Sequence, residues 1–86
     1  MKVRYTRHAE QKFEVLRRHG FEVKKEPVEE TLRQPQAVIP QERGRFIAQR
    51  TVSDRHLLRV VYREEGETKV VITFYPVRRE RYEGRI

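Results

Sequence analysis

The sequence predicts a single α+β domain. One short strand and two helices occupy the first part of the chain, and the other strands of the sheet follow them. The chain has 86 residues, enough for one hydrophobic core and too few for two domains. Apolar residues before Pro35 recur with the helical period, whereas from Ala37 onward they alternate with a period of two. We therefore expect one domain over residues 1–86, with helices on one face of the sheet.

The N-terminal segment predicts a short strand followed by a helix. Residues 1–5 alternate apolar and basic side chains, and Thr6 is a favourable N-cap for a helix over residues 7–19. His19 and Gly20 end this helix, because glycine readily takes the left-handed conformation of a C-cap. The expected buried stripe consists of Ala9, Phe13 and Leu16.

A second, shorter helix is predicted between two prolines. Pro27 suits the first helical position, and the helix ends before Pro35. Only Val28 and Leu32 are expected to be buried, so this helix depends on the rest of the fold for its stability.

The C-terminal half predicts four more strands, at residues 37–40, 45–52, 57–63 and 68–75. A tight turn over Glu65-Gly66-Glu67 joins the last two strands as a hairpin. The expected cross-strand pairs are Tyr62 with Val70, Val60 with Ile72, and Leu58 with Phe74. These six side chains form an apolar face, and Arg59 lies on the other face, opposite Thr73 and diagonal to Tyr75.

The strand at 45–52 alternates imperfectly, so either Phe46 or Ile47 can face the core. The Phe46 register is favoured. It puts Arg50 at the core-side margin of the sheet. The residues that then share the face of Arg59 are Arg45 and Gln49. After Pro76 we expect one helical turn.

Composition favours a polyanionic partner and excludes several classes of protein. The formal net charge is +7, and 15 of the 20 cations are arginine, which binds phosphate through a planar fork. The absence of cysteine excludes a disulfide scaffold and a thiol nucleophile. No apolar run reaches the roughly 18 residues of a membrane span, and residues 1–10 alternate in charge, which is not the pattern expected of a signal segment. We expect a cytoplasmic protein with no membrane partner.

Arg59 and Tyr75 form the first candidate site, because an exposed sheet face seldom carries arginine beside tyrosine. Arginine can hold a phosphodiester and stabilise charge on a phosphorane, while tyrosine can stack on a base or transfer a proton. The alternative is a face that packs against the tail or a partner.

His8 and Lys12 form the second candidate site, one helical turn apart in the first helix. A neutral imidazole at His8 can accept a proton, and Lys12 can add a charge on a bound phosphate. Alternatively, His8 caps or packs at the strand–helix junction.

The tail carries the densest basic run, interleaved with Tyr82. Its predicted nucleic-acid contacts are Arg78, Arg79 and Arg81. Ion pairs within a solvated turn are the alternative, since Glu80 and Glu83 lie in the same run. The chain lacks a phosphate-binding glycine loop and paired aspartates, so we expect no metal and no other cofactor.

Four segments resemble a small prokaryotic family of unknown function that is related to the BrnT and RelE toxins of toxin–antitoxin systems. The segments are YTRHAEQKF at 5–13, EPVEETLRQPQAV at 26–38, LLRVVYREEG at 57–66 and VVITFYPVRRERY at 70–82. The resemblance implies two helices on one face of a curved, mainly antiparallel four- to five-stranded sheet. It also implies a metal-independent endoribonuclease that uses the 2′-hydroxyl as nucleophile and is neutralised by a cognate antitoxin.

Under this resemblance His8 corresponds to the family's helix-one histidine, Arg59 to its strand arginine and Tyr75 to its last-strand aromatic, and Lys12 replaces a more usual arginine. The sequence hypothesis is that Arg59 and Arg45 hold the scissile phosphate while His8 or Tyr75 handles the proton. The substrate is RNA, free or on the ribosome. The alternatives are a non-catalytic nucleic-acid- or protein-binding module, such as a degenerate toxin or a gyrase poison, and a structural subunit that dimerises through the edge at 45–52. Monomer and homodimer both stay open.

Overall fold

A computed structural model of the chain describes residues 1–82, and side chains as far as Glu80. The strands are β1 Lys2–Tyr5, β2 Ala37–Pro40, β3 Arg45–Thr51, β4 His56–Glu65 and β5 Thr68–Arg78. The helices are α1 Arg7–Arg18, α2 Lys25–Arg33 and α3 Arg79–Tyr82, with a single 3-10 turn at Glu42–Gly44. Within residues 1–82, no helix has the length and apolar character needed to cross a bilayer.

The five strands form one mixed sheet in the order β1-β5-β4-β3-β2. Strands β2 to β5 pair antiparallel with their neighbours, whereas β1 runs parallel to β5. The α+β class is therefore confirmed, and one parallel pair is added to a sheet expected to be mainly antiparallel. Two parallel strands must be joined by a long connection. Here that connection is the whole of the chain from α1 to β4.

Helix α1 forms as the sequence predicts, because both of its ends are capped. The Thr6 hydroxyl accepts a hydrogen bond from the Ala9 amide at 3.1 Å and donates one to the Ile72 carbonyl at 3.2 Å. The same side chain therefore caps the helix and ties it to β5. At the other end Gly20 has φ +81°, the left-handed conformation that glycine adopts without a steric penalty.

Helix α2 begins two residues before Pro27, at Lys25. The proline is tolerated there because an amide in the first turn has no helical acceptor to lose. Thr31 is buried as well as the two apolar residues that were predicted, and its hydroxyl donates to the Pro27 carbonyl at 2.8 Å. This bond satisfies a polar group that would otherwise be costly to bury.

The core lies between the two long helices and one face of the sheet. Phe74 is fully buried, and its ring lies 4.5 Å from that of Phe13, measured between centroids. The buried residues of this core are Ala9, Val23, Val28, Leu32, Ala48, Leu58, Val60, Tyr62, Val71 and Phe74.

The predicted hairpin register is wrong by one or two residues. In the structure Val60 pairs with Phe74, and Tyr62 pairs with Val71. The turn is shorter than expected, because Glu65 already pairs with Thr68, and a bulge follows between Val61 and Tyr62. A bulge changes which residues face each other.

The bulge has a consequence for both sheet faces. Val71 takes the place expected for Val70 in the core, and Arg59 pairs directly with Tyr75. Leu58, Val60 and Phe74 nevertheless lie on the core face, as predicted.

The Phe46 register of β3 is confirmed. Phe46 pairs with Tyr62 and packs against the core, with 5.5 Å between the two ring centroids. Arg50 lies on the core side at the sheet margin, as expected, and its Nη1 donates to the Gln34 carbonyl at 2.7 Å. This hydrogen bond from the arginine gives a partner to the carbonyl of Gln34, the C-cap residue of α2.

Strand β5 continues through Pro76 to Arg78, further than the sequence predicts. In the described chain β1 pairs only with residues 68–71 of β5, so Pro76 has a neighbouring strand on one side only. A proline at such an edge position need not remove a ladder hydrogen bond.

Candidate nucleic-acid interface

The sheet has a second face, turned away from α1 and α2, which we call the distal face. Strand side chains alternate between faces, so residues that neighbour the core positions belong to it. Its central members are Arg45, Ile47 and Gln49 on β3, Leu57, Arg59, Val61 and Arg63 on β4, and Thr73, Tyr75 and Val77 on β5. Polar and charged residues are thus mixed with aliphatic ones across three strands.

Arg59 and Tyr75 meet at the centre of the distal face. Arg59 Nη1 donates to the Tyr75 hydroxyl at 3.4 Å, and the guanidinium carbon lies 5.8 Å from the centroid of the tyrosine ring. Both side chains are half-buried. The partial burial weakens the solvent screening of the charge on Arg59.

Gln49 completes a row across the three strands, because it is the β3 partner of Arg59. Only 2% of its surface is exposed. The sequence predicts Gln49 on this face and indicates no role for it. One sequence feature could have identified Gln49: it is a glutamine at a strand position whose neighbours are apolar or cationic.

Arg45 lies at the other end of the distal face, where it is the cross-strand partner of Arg63. Arg59 is four residues from Arg63 on β4, a separation of roughly 13 Å between their backbones. The two arginines predicted to hold one phosphate therefore start from well separated backbone positions. They are better described as two contacts than as one clamp.

Glu65 links two cations beside this end of the face. Its carboxylate contacts Arg4 at 2.8 Å and Arg63 at 2.7 Å. The hydrogen bond from Arg63, followed by the charge of Arg4, holds the pKa of Glu65 below its usual value. All three side chains are well exposed, so these ion pairs contribute little to stability.

His8 and Lys12 are carried by α1, in the helical layer on the other side of the sheet. His8 is exposed and Lys12 is half-exposed. The structure therefore brings together Arg59 and Tyr75, and it places His8 and Lys12 in a different layer from them. The predicted roles of His8 and Lys12 stay predictions.

Arg78, the last residue of β5, and Arg79, the first residue of α3, line a surface depression of about 480 Å³. Arg79 is tied to the β3–β4 turn: its amide donates to the Arg55 carbonyl at 3.0 Å, and its Nη1 donates to the Asp54 carbonyl at 3.1 Å. Arg78 contacts Glu80 at 3.3 Å. Arg55, for which the sequence predicts no role, also lines the depression.

The side chain of Arg81 lies outside the described part of the structure, as does Glu83, so the predictions made for them stay open. The Arg78–Glu80 contact shows that ion pairing within the tail, the alternative weighed above, occurs at one position at least.

The fold and this site define a small basic α+β protein with an arginine–tyrosine pair on one sheet face. Comparisons with protein-family models, curated proteins and solved structures found no match to the chain.

Proposed function

We propose that the chain is a toxin-like, metal-independent endoribonuclease that binds single-stranded RNA on the distal face. The observation that carries the proposal is the contact between the Arg59 guanidinium and the Tyr75 hydroxyl in the middle of that face. The net charge of +7 supports a polyanionic substrate.

The chemistry is an attack by the 2′-oxygen of the RNA on the adjacent phosphorus. The 2′-hydroxyl loses its proton, the new O–P bond forms, and the bond to the 5′-oxygen of the next nucleotide breaks. That oxygen leaves with a proton, and a 2′,3′-cyclic phosphate remains. No metal ion is needed if a fixed cation stabilises the charge that develops on the phosphorane oxygens.

Arg59 supplies that cation. Its planar fork binds two phosphate oxygens at once, and a half-buried site strengthens the attraction. Gln49 and Tyr75 flank the guanidinium on the two neighbouring strands, which restricts where it can point.

Tyr75 transfers the proton in this proposal. The ionised form of Tyr75, a phenolate, takes the proton from the 2′-hydroxyl, and the resulting phenol gives that proton to the leaving 5′-oxygen. We assign this step to Tyr75 and not to His8, because Tyr75 is the group in contact with Arg59.

The remaining parts of the sequence hypothesis belong to this proposal. A relationship to the RelE and BrnT toxins and a cognate antitoxin follow from the resemblance of the four segments, and the cytoplasmic location follows from the composition of the sequence. Arg78 and Arg79 would contact flanking RNA backbone, whereas Lys12, on α1 in the helical layer, is outside the proposed path of the RNA. Either free or ribosome-bound RNA fits the chemistry.

A non-catalytic RNA-binding module is the second candidate. The position of His8 in the helical layer favours it, because the Arg59–Tyr75 pair then has no imidazole beside it to move protons. Binding needs the cation and the aromatic ring, and it does not need proton transfer.

Cleavage of a labelled single-stranded RNA by the pure protein in EDTA tests the proposal. We expect 2′,3′-cyclic ends with the natural chain, and none with Arg59→Ala. Arg18→Ala is the matched control, because Arg18 is a largely exposed cation on α1. His8→Ala, run in parallel, tests the histidine prediction.

Three results contradict catalysis on the distal face. One is equal cleavage by Arg59→Ala, and another is cleavage that depends on a divalent metal. The third is salt-sensitive RNA binding with no cleavage of free RNA or of messenger RNA on translating ribosomes, which would establish the binding module instead.

A further inference from the structure

The distal face has a second basic cluster, next to the 3-10 turn between β2 and β3. A depression of about 430 Å³ lies there, lined by Gln41, Glu42, Arg43, Arg45, Ile47 and Val61. Arg63 joins it as the cross-strand partner of Arg45. Three arginines lie here with two carboxylates, Glu42 and the Glu65 that pairs with Arg63, so this end of the face keeps a net positive charge.

The facing arginines Arg45 and Arg63 are an unfavourable pair unless something neutralises them. Like charges directly opposite each other destabilise an antiparallel pair. Arg63 is compensated by Glu65 at 2.7 Å, whereas Arg45 is exposed and forms no ion pair with any residue between 1 and 80. A bound anion would remove the repulsion.

Arg43 adds to the cluster at a position that glycine would occupy more easily. Its backbone has φ 62° and ψ 34°, and Gly44 follows with φ +70°. A side chain in the left-handed region carries a steric cost, so replacing Arg43 by glycine removes a charge and relieves strain together.

An apolar strip separates this cluster from Arg59. Ile47, Val61 and Thr73 form the cross-strand row between the two basic ends, and Ile47 is 8% exposed. Because the ends are roughly 13 Å apart along β4, one extended strand can place phosphates at both and a base on the strip. Bases stack or lie on apolar surfaces with little sequence preference.

We propose that Arg43, Arg45 and Arg63 form a second phosphate subsite for the same RNA strand that Arg59 binds. This inference rests on the proposed function and deepens it. It assigns Arg45 to a flanking phosphate and not to the scissile one, and it makes the half-buried Val61, next to the buried Ile47, the contact for the intervening base.

The test is fluorescence anisotropy with a labelled hexanucleotide that is 2′-O-methylated throughout and so cannot be cleaved. Four proteins are compared: the natural chain, Arg59→Ala, the double variant Arg43→Gly with Arg45→Gln, and a control with Arg18→Gln and Arg33→Gln. The control removes two exposed cations from the helical layer.

We expect the Arg43/Arg45 double variant to bind about tenfold more weakly, because a charge-assisted contact to phosphate is lost. The slope of log affinity against log salt should become shallower by about 0.7, the contribution of one single-strand phosphate. Its melting temperature should be unchanged or higher, which a merely structural role for Arg43 would not allow.

The two proposals fail differently in this experiment. If the double variant binds like the control while Arg59→Ala binds weakly, the second subsite is overturned and RNA binding at Arg59 stands. If none of the variants loses affinity, the distal face does not bind RNA and both proposals are overturned.

Discussion

A substitution at Tyr75 can separate catalysis from RNA binding. Its ring packs near the Arg59 guanidinium, and its hydroxyl receives the arginine's hydrogen bond. The ring and the hydroxyl therefore have different uses, and only the hydroxyl can move a proton.

Tyr75→Phe keeps the ring and removes the proton-transfer group. We expect single-turnover RNA cleavage to fall by about 10²- to 10⁴-fold, the usual contribution of general acid–base catalysis. Affinity for the uncleavable hexanucleotide should stay within about threefold of that of the natural chain, because the aromatic ring on which a base can stack is kept. Undiminished cleavage would remove Tyr75 from the mechanism.

Tyr5 gives the fold a dependence on alkaline pH. Its hydroxyl donates to Glu29 at 2.7 Å, and burial, followed by this bond and the carboxylate charge, raises the pKa of Tyr5 well above its ordinary value of 10.0. The folded state therefore keeps a proton that the unfolded chain loses. The resulting stability is complete below about pH 10 and declines above it.

Tyr5→Phe should remove that dependence. Between pH 7 and about pH 11 we expect the urea midpoint of the natural chain to fall further than that of the variant. Other titrating groups are common to both proteins and cancel in the comparison. Equal alkaline losses would show that the Tyr5–Glu29 bond does not couple folding to pH.

Single residues show where sequence reasoning succeeds and where it stops. Arg59 and Tyr75 were placed on one face, which the structure confirms, because alternation alone decides the face. The burial of Gln49 and the separation of Arg45 from Arg59 depend on register and distance across strands, which alternation does not encode.

The β4–β5 hairpin shows the same limit at the scale of elements. Its strands and turn were predicted from alternation and Gly66, but the pairing was displaced. A bulge leaves no clear signature in a run of consecutive apolar residues such as 70–72, because each of them suits either face. Helix α1 was predicted more closely because its N-cap and C-terminal glycine are local signals.

Phe74 connects this hairpin to α1 and gives a direct test of the sheet's orientation. Phe74→Ala should lower the free energy of unfolding by about 3 to 5 kcal/mol, the range for a fully buried phenylalanine. Val38→Ala, at a side chain that is 45% exposed, should change it by no more than about 0.5 kcal/mol. Urea denaturation measures both.

A loss below about 1 kcal/mol for Phe74→Ala would mean that this face of β5 is not the core. If the alanine variant does not fold, Phe74→Leu serves in its place. It should still cost more than Val38→Ala, because leucine cannot reproduce the ring contact with Phe13.

At the scale of the whole molecule, the sheet separates two surfaces. The helical layer covers the core face, while the distal face gathers Arg45, Arg59 and Arg63 together with Tyr75. The sequence predicted this two-sided arrangement. It did not predict that β1 would pair parallel to β5, because that pairing joins the two ends of the chain and depends on how all the other elements pack.

The central claim is that RNA contacts the distal face and not the helical layer. The most direct measurement is an NMR titration of the ¹⁵N-labelled protein with the uncleavable hexanucleotide, following backbone amides and arginine Nε signals. We predict shifts concentrated on β3, β4 and β5 around Gln49, Arg59 and Tyr75, with α1 and α2 unchanged. Shifts confined to the helices, or no shifts at all, would contradict the claim.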